Sequence, residues 1–157
     1  MRVTKLKFSF DDPDAGWIAI ELSVGERRCS FPVEHVPYDL IQQLADGLGN
    51  LLSGSPKISA RANDGPIEYE FIFEKTGDQI DLRVYVLNET PFGKDREELF
   101  GATDSVYAII RPFWKALRDL ETKYLPDEYL RRWREAFPER EMRYFTEQFE
   151  KVKKLQA

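Results

Sequence analysis

The chain has 157 residues, 42% of them hydrophobic and 32% charged, with a net charge of −5. That is enough to bury a core of one domain without a disulfide or a structural metal. One histidine, His35, and one cysteine, Cys29, leave no second copy of either residue for the usual zinc sites or for a Cys–His pair.

The N-terminal stretch MRVTKLKFSFDD alternates apolar and polar residues and lacks the continuous apolar run of a signal peptide. No window approaches the roughly 20 apolar residues that span a bilayer. The lone cysteine suits a reducing compartment, so a cytoplasmic location is expected, with no membrane partner. Residues 1–100 hold 11 basic and 18 acidic side chains, a balance of −7, and residues 101–157 hold 12 and 10, a balance of +2. An acidic chain is repelled by polyphosphate, so no nucleic acid partner is expected.

Period-2 alternation runs through residues 1–87 and predicts six strands, each with one buried face. Leu6, Phe8 and Phe10 share a side in the first strand; Ile18, Ile20, Leu22 and Val24 in the second; Cys29, Phe31 and Val33 in the third. Gly25-Glu26 suits a two-residue hairpin turn and sets Leu22 opposite Cys29, Ile20 opposite Phe31 and Ile18 opposite Val33. A helix follows, opening near Pro37 and carried by Leu40, Leu44, Leu48, Leu51 and Leu52, with Gly54 to end it. Gly47 and Gly49 weaken it, and either permit close packing or mark an early end.

The fourth strand groups Ile58, Ala60 and Ala62, the fifth Tyr69, Phe71 and Phe73, and the sixth Ile80, Leu82, Val84 and Val86. A turn at Thr76-Gly77 would set Phe73 opposite Ile80 and Glu70 opposite Arg83. Residues 88–103, NETPFGKDREELFGAT, have no clear period and read as a polar loop.

From residue 104 to 155 the period is helical. Val106, Ile109, Ile110, Phe113, Leu117, Leu120 and Tyr124 form one stripe with Asp104 as its cap. The stripe stays in phase across Pro112, which favours one kinked helix over a strand at Val106–Arg111 followed by a helix. Tyr129, Leu130, Trp133 and Phe137, then Met142, Phe145, Phe149 and Val152, define two more helices. The chain is thus expected to be a single α+β domain over 1–157. Its antiparallel six-stranded sheet carries one helix inserted after strand three, and two to three C-terminal helices follow it.

Chemistry-bearing residues each have a structural explanation. His35 lies beside Glu34 without a neighbouring nucleophile, and Cys29 points with the core residues. Glu68, Glu70, Glu74 and Asp81 wet one sheet face. Asp11, Asp12 and Asp14 resemble a calcium loop only loosely, because Pro13 breaks the pattern. Arg131, Arg132 and Arg134 flank Trp133, which belongs to the apolar stripe, and Glu128, Glu135 and Glu139 stand at pairing distance along the helix. No catalytic set, metal site or cofactor is expected. Trp17, Ile72, Tyr85 and Leu87, however, fall on the face that should be polar. Such a set calls for a cover, supplied by the C-terminal helices, by a second copy in a homodimer, or by another protein. The sequence therefore reads as a non-catalytic protein-interaction or accessory module, of which an inhibitor or immunity-type protein masking a basic partner is one version. The alternative is a small-molecule binder or enzyme with a pocket between sheet and helices, lidded by residues 88–103.

Overall fold

The computed structural model describes residues 5–156. Its sheet has seven antiparallel strands in chain order: β1 (Leu6–Phe10), β2 (Trp17–Val24), β3 (Arg27–Glu34), β4 (Lys57–Asp64), β5 (Ile67–Thr76), β6 (Gln79–Thr90) and β7 (Gly93–Ser105). Helix α1 (Leu40–Ser53) is inserted after β3, and α2 (Val106–Lys123), α3 (Pro126–Trp133) and α4 (Glu139–Gln156) follow the sheet. The α+β class, the inserted helix and the three C-terminal helices agree with the sequence reading. The strand count does not, because residues 88–103 are not a loop. They form the end of β6 and most of β7, paired from Gln79↔Ser105 to Thr90↔Gly93 with one irregularity at Val84/Tyr85.

The β2–β3 hairpin has the expected register, with Leu22↔Cys29, Ile20↔Phe31 and Ile18↔Val33. The β5–β6 hairpin is displaced by two residues. Thr76 faces Gln79, so Gly77 and Asp78 make the turn, and Phe73 meets Leu82 while Ile72 meets Arg83. A two-residue displacement leaves the same side chains facing inward, so alternation alone could not distinguish the two registers.

The sheet folds over at β3. Strand β3 pairs with β4 at a single position, Glu34↔Asn63. Farther along, the Phe31 ring stacks on Tyr69 of β5 at 3.7 Å between centroids, and at the strand's far end Arg27 lies over Phe100 of β7 and donates to the Gly101 carbonyl at 2.9 Å. β3 therefore crosses the inner face of β4–β7, making a corner between two leaves of sheet. Ala60 and Ala62 line the inner face of β4 opposite Phe71 and Tyr69, and their small side chains leave room for Phe31 to reach β5.

This departure would strand the edge of β4, and α1 repairs it. The Gln43 side-chain amide donates to the Arg61 carbonyl and accepts the Arg61 N–H, both at 2.9 Å, standing in for a neighbouring strand. α1 begins at Leu40 behind the Asp39 cap, which accepts from the Gln42 N–H, so Pro37 precedes the helix. Its two glycines serve close packing. A Cβ at Gly47 would lie 2.9 Å from the Ile58 side chain, and one at Gly49 would lie 2.9 Å from the Tyr144 ring of α4.

α2 starts where β7 ends. Its cap is Ser105, which accepts from the Ala108 N–H at 3.2 Å, in place of Asp104. The helix runs unbroken through Pro112, and its Phe113 ring stacks on Phe8 at 4.2 Å and meets Phe73 edge-on at 5.1 Å. Trp133, Phe145 and Phe149 complete the helical side of the core. No described helix is long and apolar enough to cross a membrane.

Candidate functional site

The outer face of the sheet carries the four residues singled out as needing a cover. Ile72 and Leu87 are buried there, at 8% and 9% exposure, Tyr85 is half-buried and Trp17 is 37% exposed. Ile72 and Leu87 are covered within the sheet and lie outside the core that the helices close, whereas Trp17 and Tyr85 keep exposed surface. Ile72 sits between Ser59 and Arg83, and Leu87 between Glu68 and Arg96; the arginine and glutamate stems shield apolar surface while their charged heads stay at the surface. The Arg96 guanidinium lies 5.1 Å from the Tyr85 ring centroid. Trp17 shares a cross-strand row with Leu87 through Glu34, Asn63 and Glu68, about 19 Å away at the usual strand spacing. The four do not make one apolar patch.

Several charged groups on this face are paired, although Glu74 has no ion-pair partner among the described residues. Arg83 grips Asp81 through Nε and Nη2 at 3.0 and 2.9 Å and reaches Glu98 at 3.2 Å. Its guanidinium crosses Gly101 so closely that a Cβ there would lie 2.9 Å from Nη1. This bond holds the Asp81 carboxyl below its usual range and raises the guanidinium. Glu70, nearly buried, lies between Arg61 and Arg96; the Arg96 approach is 3.0 Å but too poorly aligned for a hydrogen bond.

His35 finds its carboxylate far along the chain. Nδ1 lies 2.7 Å from Oε2 of Glu135, not near Glu34. Beside it, Asp39 accepts from Trp133 Nε1 at 3.0 Å, and burial raises the Asp39 carboxyl against the pull of that bond. Gly16, at φ +81°, passes under the imidazole, where a Cβ would come within 2.6 Å of Cδ2. Asp12 is bonded by Lys123 and the Tyr124 hydroxyl. These contacts fasten the ends of β2 and β3 and the first loop to α2 and α3; among the described residues no serine, threonine or cysteine bonds to His35. Burial raises the Cys29 thiol, which makes it a poor nucleophile. Among the described residues no group of three His, Cys, Asp or Glu is placed to hold a metal ion. Trp133 is buried within the arginine run, and Arg131 and Arg132 pair with Glu128.

Two surfaces remain outside these networks. The first is the end of the β6–β7 hairpin. Strand β5 last pairs with β6 at Glu68↔Leu87, whereas β6 and β7 continue through Asn88↔Asp95, Glu89↔Lys94 and Thr90↔Gly93. This two-stranded arm stands clear of the sheet. Thr90-Pro91-Phe92-Gly93 closes it: the Thr90 hydroxyl donates to the Gly93 carbonyl at 2.9 Å and accepts the Phe92 N–H at 3.2 Å, with proline at the position whose φ it presets. Phe92, at the tip, is 99% exposed. Lys94, beside the turn, and Arg96, at the arm's base, turn back onto the sheet, to Glu68 and Glu70, each at 3.0 Å. Glu89, Asp95 and Glu97 have no ion-pair partner among the described residues and stay exposed. The second surface is an open trough of about 1390 Å³ along β1, walled by α2 and floored partly by Leu6, Phe8, Ala116 and Leu120. Sequence reasoning placed Phe92 in an unstructured loop, although the Thr-Pro-Phe-Gly turn signal was there to be read.

No protein-family model, curated protein or solved structure matches the chain.

Proposed function

We propose that this chain is a non-catalytic protein-interaction module of the inhibitor type, which enters a cleft of its partner with the β6–β7 arm. The observation that carries the reading is Phe92, fully exposed on a turn that holds it at the tip of a projecting hairpin. A free phenylalanine ring gains about 1.5–3 kcal/mol on burial, and a hairpin already paired and closed by its turn has less left to order on docking than an unpaired loop. The acidic groups around the ring suit a cleft lined by lysine or arginine with an apolar pocket at its base. Charge of opposite sign on the two partners would speed their encounter. The pairing of His35, Asp12, Glu70 and Asp81 within the chain supports a structural role for its titratable clusters over a catalytic one.

The test is affinity capture from the native host with wild type, Phe92→Ser and Leu125→Ser, the last removing another exposed apolar residue. A partner retained by wild type and Leu125→Ser but depleted tenfold or more with Phe92→Ser supports the reading, that factor corresponding to about 1.4 kcal/mol. Equal retention by all three sinks it. The trough along β1 favours a second reading, a small-molecule binder. A metabolite screen by thermal shift reads it out, and a hit abolished by Lys115→Ala would place the ligand there.

A further inference from the structure

The free edge of β1 has a property that its trough alone does not reveal. The edge of β4 is capped by Gln43 and that of β7 by Arg27 at Gly101. Apart from Asp11, whose Oδ1 accepts the neighbouring Asp12 N–H at 2.8 Å, no described side chain caps the outer edge of β1, whose residues 5–12 all line the trough. Lysines on such an edge ordinarily discourage pairing with another chain. Here the same strand continues into an aspartate, and Lys5, Lys7 and Asp11 are exposed with no ion-pair partner among the described residues.

We infer that β1 pairs antiparallel with the β1 of a second copy, about a twofold axis at Phe8, making a closed dimer with one continuous sheet. The strand is self-complementary in this register. Lys5 faces Asp11 of the partner copy twice over, Leu6 faces Phe10 twice, Lys7 faces Ser9, and the two Phe8 residues meet at the axis. Every pair lies on one face, since successive side chains alternate. The polar pairs fall on the outer face, with exposed Lys5, Lys7, Ser9 and Asp11. The apolar pairs fall on the inner one, with Leu6 and Phe8 at the core. Neighbouring registers are worse. A displacement of two residues one way sets Lys7 against Lys7, and the other way sets Leu6 against Asp12, which is already held by Lys123 and Tyr124. Directly opposed like charges destabilise a strand pair, while opposite charges stabilise it. A twofold interface uses one patch on both copies, so each favourable pair counts twice. The trough supplies the space beside the edge that an incoming strand requires.

Charge exchange tests this directly. Sedimentation equilibrium of untagged wild type should show the average mass rising from 18.4 kDa toward twice that value across the micromolar range. Lys5→Asp alone opposes two aspartates at each end of the pair, and Asp11→Lys alone opposes two lysines; each should weaken self-association tenfold or more. An equimolar mixture of the two variants restores both ion pairs and should associate as tightly as wild type, as should the double variant on one chain. Phe92→Ser should leave the dimer intact, which separates this interface from the arm. Circular dichroism checks that each exposed-site variant keeps the fold. A wild type that stays monomeric, single variants that associate like wild type, or a mixture that fails to recover overturns the inference.

Discussion

Gln43 shows how one side chain can complete a sheet. Its amide supplies the donor and the acceptor that β3 withdraws from Arg61 when it crosses to β5 and β7. Replacing it with methionine keeps the bulk and leaves two backbone groups at a part-buried edge without partners. Fully buried unsatisfied groups cost about 1–3 kcal/mol each; with two groups freed at an edge that water partly reaches, Gln43→Met should lower stability by about 1–3 kcal/mol in all, seen as a smaller urea midpoint with an unchanged slope. Two aspartates make opposite contributions with pH. Burial raises the folded Asp39 carboxyl, so the folded state holds more protons than the unfolded chain just above 3.8, and stability falls as pH rises through that window. The hydrogen bond from Arg83 lowers Asp81, so its contribution is present above 3.8 and is lost as pH falls through the depressed value. Asp39→Asn should therefore gain on wild type at pH 7 and Asp81→Asn should lose, with both differences shrinking toward pH 3. Urea titrations at the two pH values check both signs.

At the scale of elements, local pattern was legible where each hairpin carried its own signal. The β2–β3 register followed from Gly25 and three apolar pairs. The β5–β6 turn was placed two residues off because both registers bury the same faces. β7 went unread for a different reason. Of its residues 93–105 only Phe100 and Gly101 are buried, and the irregularity opposite Val84 and Tyr85 breaks the alternation; the strand exists because β6 offers it a partner. Beyond Glu68↔Leu87 the arm pairs only within itself, so its amides should open locally without global unfolding. Hydrogen exchange should find residues 89–94 exchanging in seconds, while Phe71, Leu82 and Val84 exchange at the rate of global unfolding. Equal protection across both groups would contradict an independent arm.

For the whole molecule, the long-range assembly lay beyond sequence reading. His35 and Glu135 are 100 positions apart, Asp12 meets Lys123 and Tyr124 across more than a hundred, and no local period encodes such meetings. Only Asp12–Lys123 sets an acid of the first part of the chain against a base of the C-terminal part; in His35–Glu135 the carboxylate comes from the C-terminal side. Trp17, Ile72, Tyr85 and Leu87 were found on one face by alternation, but the cover of Ile72, Tyr85 and Leu87 by Arg83, Arg96 and Glu68 depends on register. The proposed function rests instead on the arm, whose Phe92 is the most exposed large apolar side chain among the described residues. The most direct test is photo-crosslinking in the native host from a benzophenone side chain at position 92, with position 125 as the exposed control. The account predicts one discrete heteromeric adduct from position 92, absent from position 125, whose peptide map falls in an apolar pocket rimmed by lysine or arginine. Only solvent-quenched, uncrosslinked protein from position 92, or the same adducts from both positions, would contradict it.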